Sequence, residues 1–144
     1  MSTIGSLEPL AHRALDCLQQ AEAAVRRRLS ADLDREGISP SGFSVLVLLA
    51  DNDGELELRT LREQLRTSKA NATEVVTTLE GRGYVVRRRL LSDRRAAAVT
   101  LTDAGSELVD RLFPEHASRV AETFAVLDED EMAQLAAICQ KLAA

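Results

Sequence analysis

SKANATEVVTTLEGRGYVVRRRLLSDRRAAAVTL, residues 68–101, is the stretch whose reading decides the fold. In its first part Ala72, Val75, Val76 and Leu79 fall on one side of a helix at about 100° per residue. Ser68 supplies an N-cap, and Gly81-Arg82-Gly83 stops the helix after Glu80. The period then changes. Tyr84 to Leu91 and Ala96 to Leu101 read as two strands joined by a polar tip, Ser92-Asp93-Arg94-Arg95, which makes a hairpin.

The elements around this stretch are helical. A long first helix is expected from about Leu7 to Arg35, capped by Ser6, with Pro9 in its first turn and Gly37 beyond its end. A second runs from about Pro40 to Ala50, with Phe43, Leu46 and Leu49 inward, and Asp51-Asn52-Asp53-Gly54 is turn chemistry. A short third helix covers about Leu58 to Leu65, and Arg66-Thr67 turns the chain into the helix capped by Ser68. After the hairpin, Thr102 caps a fifth helix through about Val126, with Pro114 a bend, and Asp128 and Glu131 form a capping box for the last helix, to Leu142. Two short helices joined by a tight turn and followed by a hairpin are the pattern of a winged helix-turn-helix. The expected class is mainly α with a small antiparallel β-hairpin wing. It forms a single domain over 1–144, with the winged helix-turn-helix at about 40–101.

Composition agrees with a small helical core. Aromatic residues make up 3% of the 144 and Trp is absent, so the interior must be built from Leu, Val and Ala. The net charge of −5 argues against nucleic acid until its distribution is read. Between Arg59 and Arg95 ten basic residues face four acidic ones, a local charge of +6, which leaves −11 for the remainder. Salt screens those distant acids beyond roughly 8–10 Å, so a basic module can still attract phosphates.

A reading helix must be small and polar on the face it offers to the major groove. Ala70, Thr73, Glu74 and Thr77 lie opposite the apolar stripe, with Lys69 and Asn71 on its flanks. Threonine donates or accepts, asparagine pairs with adenine, and glutamate accepts from cytosine N4. The Ser68 end offers free N–H groups to a phosphate. Taken alone, this helix could equally be a solvated surface helix. The neighbouring arginines Arg87, Arg88, Arg89, Arg94 and Arg95 decide between the two, because five guanidiniums on one hairpin repel one another unless a phosphate backbone lies alongside. Asp93 is expected to pair with one of them and hold the tip.

The run from Leu90 to Gly105 resembles the wing of the MarR family of transcriptional regulators. That wing is marked by Asp-x-Arg (here Asp93-Arg94-Arg95), a strand, and Leu-Thr-x-x-Gly (here Leu101-Thr102-Asp103-Ala104-Gly105). Leu79-Glu80-Gly81-Arg82-Gly83-Tyr84-Val85 resembles the end of that family's recognition helix, and the long first and capped last helices match as well. The resemblance implies a homodimer whose N- and C-terminal helices, about 7–36 and 102–143, intertwine. It also implies a palindromic operator on double-stranded DNA, and repression relieved by a small-molecule effector or by oxidation. Arg95 would be the wing-tip arginine, and Ser68, Asn71 and Thr73 would begin the DNA-facing end of the helix. Many members carry arginine where this chain has Glu74, so base contacts cannot be copied across. The expected DNA-binding set is Ser68, Lys69, Asn71, Thr73, Glu74, Thr77, Arg87, Arg89, Arg94 and Arg95, with Asp93 shaping the wing.

Other chemistries find little support. Cys17 and Cys139 match no zinc spacing and read as small buried apolar residues. A redox-sensing role for Cys17 is an alternative, as is a winged helix that binds protein instead of DNA. His12 and Cys17 are five residues apart and do not share a helix face, so no metal site and no cofactor is expected. No nucleotide-binding, hydrolase or metalloprotease motif occurs, so the chain is not expected to be an enzyme. The absence of a signal peptide or membrane-spanning run places it in the cytoplasm as an expectation.

Overall fold

The computed structural model describes residues 9–90 and 93–144, with side chains 93–95 excepted. Six helices and three strands follow one another as α1 (Pro9–Arg35), α2 (Pro40–Asp51), β1 (Glu55–Glu57), α3 (Leu58–Leu65), α4 (Lys69–Gly81), β2 (Val85–Leu90), β3 (Asp93–Leu101), α5 (Asp103–Phe124) and α6 (Glu129–Ala143). The expected cap at Ser6 and the start at Leu7 lie outside the described residues. So do Leu91 and Ser92 of the hairpin tip.

Local chemistry explains most boundaries. The Ser39 hydroxyl accepts from the Gly42 N–H at 3.0 Å and opens α2. Arg66 takes a left-handed conformation, φ 53°, to close α3, and its N–H reaches the carbonyls of Arg62 and Glu63. Ser68 accepts from the Asn71 N–H at 3.1 Å and opens α4. At α6, Asp128 and Glu131 each accept from the other's backbone N–H, the reciprocal pair expected from the sequence.

Two features differ from expectation. The hairpin belongs to a three-stranded antiparallel sheet of order β1-β3-β2, whose first strand pairs Glu55 with Thr100, Leu56 with Val99 and Glu57 with Ala98. Three residues are too short to show an alternation, so only pairing reveals this strand. Asp93-Arg94-Arg95, expected in the tip, lie in β3 because pairing continues past a bulge at Arg89/Leu90 to join Leu90 with Asp93. A ladder needs only backbone groups, so charged residues at the far end of a wing can join it.

The chain divides into two compact units. Residues 32–118 form one, and residues up to 31 together with those from 119 onward form the other. The 32–118 unit has an aliphatic core in which Val45, Leu46, Leu49, Leu61, Val76 and Val99 are fully buried. Leu101-Thr102-x-x-Gly105 ties α5 to the wing. The Thr102 hydroxyl donates to the Gly83 carbonyl at 2.6 Å and accepts from the Gly105 N–H at 3.1 Å. The Thr102 N–H donates to the Tyr84 carbonyl at 3.0 Å. A Cβ on Gly105 would stand 2.2 Å from that carbonyl oxygen, so only glycine fits.

In the other unit the helices are barely covered. None of the described residues of α1 before Asp32 is buried, and α6 has no buried residue. Leu10, Leu15 and Leu18 on α1, and Met132, Leu135, Ile138 and Leu142 on α6, are all exposed. Cys17 and Cys139, expected to be buried, are exposed in the single chain, where no described residue covers those helix faces.

Two outcomes follow from this packing. Gly105→Ala should destabilise the protein by about 1–3 kcal/mol or more, since backbone must move to admit the methyl group; urea unfolding measures it. The second concerns His116, which packs edge-on against Phe43 with ring centroids 4.9 Å apart. Partial burial holds its pKa below the ordinary 6.5. Between the two pKa values the unfolded chain binds more protons than the folded one, so stability rises with pH in that window. Acidification from pH 6.5 downward should therefore weaken the fold, the loss levelling off below the folded pKa. His116→Phe should remove that part of the dependence, as seen by comparing urea midpoints at several pH values.

Candidate nucleic-acid interface

The helix α4 presents a graded surface. Ala72, Val76 and Leu79 are buried and Val75 packs against the core, while Ala70, Asn71, Glu74, Thr77 and Thr78 are exposed and Thr73 is half-buried. Small side chains on the exposed strip leave room for close approach to base edges. Ser68 acts through its backbone-capping hydroxyl, and the Asn71 amide donates to the Thr67 hydroxyl at 2.6 Å, bracing the turn between α3 and α4. Glu74 is exposed on the strip and lines a 350 Å³ groove between α4 and the start of α2, together with Ser39, Ser41, Asn71 and Thr78.

The basic residues fall into two groups. One group is engaged within the protein. Arg82 donates to the carbonyls of Gly37 at 2.6 Å and Glu36 at 2.9 Å, so it braces the turn that follows α1, and its guanidinium sits 5.7 Å from the Tyr84 ring. The Glu36 carboxylate in turn pairs with Arg111 on α5. That pairing holds Glu36 below the usual carboxylate range and raises Arg111. Arg88 pairs with Glu55 across the sheet, with Nε 3.2 Å from the carboxylate, and Thr100 donates to the same oxygen at 3.0 Å. Arg88, followed by Thr100, lowers the pKa of Glu55. Arg87 is held by Glu80 and Thr77.

The other group has no side-chain partner among the described residues: Arg59, Arg62, Arg66, Lys69 and Arg89. Three of them, Arg59, Arg62 and Lys69, line a 290 Å³ pocket walled by α3, the start of α4 and Ala96 and Ala97 of β3, where Glu57 is the single acid. The pocket adjoins the exposed strip of α4. Arg59 and Arg62 were absent from the sequence-based set. Their signal was present in the local charge, but only packing shows that α3 and β3 bring them beside Lys69. The side chains of Asp93, Arg94 and Arg95 lie outside the described residues, so their expected roles at the wing tip rest on sequence alone.

Among the described residues no group of three or more His, Cys, Asp and Glu side chains could hold a metal ion, and no helix is long and apolar enough to cross a membrane.

Comparison with known proteins fits this geometry. The transcriptional regulator YkoM of Bacillus subtilis is 36% identical over 110 residues, which cover 76% of this chain and 71% of that protein. The DNA-bound structure of Sco3205, a MarR family regulator from Streptomyces coelicolor, superposes with a TM-score of 0.86 at 25% identity, covering 95% of this chain and 88% of that one. NadR in complex with 4-hydroxyphenylacetate gives a TM-score of 0.69 at 28% identity, with 88% and 89% of the two chains covered. The MarR family profile matches residues 38–97. With a capped recognition helix, a three-stranded winged sheet and relatives that are transcriptional regulators and not enzymes, the chain belongs to the MarR family of transcriptional regulators.

Proposed function

We propose that the protein is a cytoplasmic, homodimeric repressor that binds a palindromic operator and is released by a small-molecule effector. The observation that carries the DNA reading is the grouping of Arg59, Arg62 and Lys69, without internal partners among the described residues, beside the small, polar, exposed strip of α4. A cation that pairs with no acid among the described residues stays available to phosphate, and neutralising phosphates releases condensed counterions. In helix-turn-helix proteins the first helix of the pair crosses the backbone while the second enters the major groove. Arg59 and Arg62 on α3 suit the first task. Lys69, Asn71, Thr73, Glu74 and Thr77 suit the second, opened by Ser68 at the capped end of α4. Arg89, Arg94 and Arg95 on the wing would reach the flanking groove, with Asp93 shaping it.

The dimer rests on the uncovered helices. Leu10 on α1 and Ile138 and Leu142 on α6 stand more than half exposed, at 64%, 54% and 67%. Apolar surface of that extent favours association with a like surface. The effector reading is supported by relatives alone: NadR is described with bound 4-hydroxyphenylacetate, and Sco3205 in complex with DNA.

Selection of bound oligonucleotides from a random pool tests the whole reading. A recovered palindrome is the expected result, and purely non-specific, salt-dependent binding would overturn operator recognition. Sedimentation at micromolar concentration should give about twice the 15.7 kDa chain mass; a clean monomer would remove the dimer. Arg62→Ala should weaken binding to all sequences alike and reduce the slope of log affinity against log salt by about one. Glu74→Gln should behave differently. It should raise general affinity and lower discrimination at one base pair of each half-site by up to ~1–3 kcal/mol, because a carboxylate repels phosphate yet accepts from cytosine N4. Uniform tightening over a set of single-base operator variants would show that Glu74 carries no specificity.

A further inference from the structure

The wing and the recognition helix are joined by Gly81-Arg82-Gly83, a turn in which the Gly83 N–H donates to the Glu80 carbonyl and the Tyr84 N–H to the Leu79 carbonyl, each at 3.0 Å. Gly83 has φ +81°, and a Cβ on either glycine would meet nothing within 4 Å. Across this connection one carboxylate spans seven residues. Glu80, in the last turn of α4, accepts from the Arg87 backbone N–H at 2.9 Å through one oxygen and from the Arg87 guanidinium at 3.2 Å through the other. The same guanidinium nitrogen donates to the Thr77 hydroxyl, one turn earlier on α4, at 3.2 Å. The strand β2 is an edge strand, and half of an edge strand's N–H groups find no ladder partner. Glu80 takes up one of them and the arginine side chain of the same residue.

We propose that Glu80, Arg87 and Thr77 form a positioning clamp that sets the angle between the recognition helix and the wing, and that Arg87 therefore acts on DNA through α4 instead of contacting a phosphate. The proposal deepens the DNA-binding reading and rests on it. Its physical basis is that a protein engaging two adjacent grooves must hold its two reading elements at a fixed separation; the other bonds at this connection hold the turn and the start of β2, and Glu80 is the contact that reaches farther along the strand, to Arg87. The burial pattern of β2 agrees. Arg87 shares the strand face of buried Val85, toward α4, whereas Arg88 lies on the opposite face and meets Glu55. Arg87 is also half-buried, its side chain 27% exposed, unlike the 64% of Arg88.

The clamp has a consequence for base reading. The Thr77 oxygen accepts from Arg87, which takes one of its two acceptor sites and leaves its hydroxyl proton available as a donor. With one acceptor site fewer, Thr77 is weighted toward base acceptors such as guanine O6 or thymine O4. Arg87 thus tunes the specificity of a residue it touches without reading a base itself.

The test uses full-length protein and the selected operator, with Glu80→Gln, Glu80→Ala, Arg87→Ala and the double alanine variant, each checked for folding by its unfolding midpoint. For a clamp, each single alanine variant weakens operator binding roughly tenfold, and the double variant is no weaker than the worse single. The salt slope stays at its wild-type value, and Glu80→Gln, which keeps an acceptor for the N–H, falls between wild type and Glu80→Ala. Hydroxyl-radical footprints should lose the wing's minor-groove protection while keeping that of the recognition helix, a split that general destabilisation does not produce. The proposal is overturned if Arg87→Ala lowers the salt slope by about one, or if Glu80→Ala tightens binding by removing a negative charge. Amide exchange of the Arg87 N–H in free protein gives an independent arm. It should accelerate in Glu80→Ala while neighbouring ladder amides stay protected, and unchanged exchange refutes the clamp. If wild-type protein selects no operator, the DNA-binding reading fails, and the exchange arm still decides the clamp by itself.

Discussion

Burial of Val76 and Leu79 beneath α4, against a core that includes Val85 and Val99 of the sheet, is the constraint on which the rest of the 32–118 unit depends. These side chains are at most 2% exposed, and each is worth about 1.5–3 kcal/mol of apolar burial. Docking one side of α4 fixes which side remains outside. The outward residues are small and polar because any larger apolar residue there would meet water in the free protein and crowd a groove in the bound one. The stripe that folds the helix therefore also defines the surface it can read with.

Polar contacts then orient what the core has assembled. Arg82 braces the turn after α1 by donating to the Glu36 and Gly37 carbonyls, and Glu36 from the same corner holds Arg111 of α5. Thr102 and Gly105 bring the start of α5 against the turn that leaves α4. The C-terminal end of the recognition helix is thus fastened by hydrogen bonds to elements distant in sequence, while its N-terminal end is held locally by Ser68 and Thr67. Such exposed pairs contribute little to stability in water. Their value is geometric, because they select one arrangement among several that the aliphatic core alone would tolerate.

The arginines illustrate how charge is divided between folding and function. Ten basic residues between Arg59 and Arg95 suggest one large phosphate-binding surface. In three dimensions Arg82, Arg87 and Arg88 are spent on carbonyls and carboxylates within the protein, while Arg59, Arg62 and Lys69 converge on a single pocket. A net charge of −5 is compatible with this arrangement, since attraction over a Debye length depends on what lies nearby and not on the total.

Much of the architecture was legible in the residues because its determinants are local. Ser39, Ser68 and the Asp128/Glu131 pair cap helices from within three residues, and the stripe from Ala72 to Leu79 shows its period within two turns. The winged helix-turn-helix and its family could therefore be recognised from order and spacing. What depends on long-range contact could not. The strand β1 exists only because β3 pairs with it some forty residues later, and β3 begins at Asp93 because pairing outlasts the side-chain pattern. Whether an arginine faces an acid or solvent is set by the strand face and its neighbours across the sheet, which separated Arg87 and Arg88 from Arg59 and Arg62. The exposure of Cys17 and Cys139 in the single chain likewise depends on which described residues pack over them, a property no single helix's sequence contains. Sequence by itself determined the helices, their caps and the apolar stripe, because those free energies are local. Tertiary structure decided which charges remain unpaired, because an ion pair requires two groups brought together from anywhere along the chain.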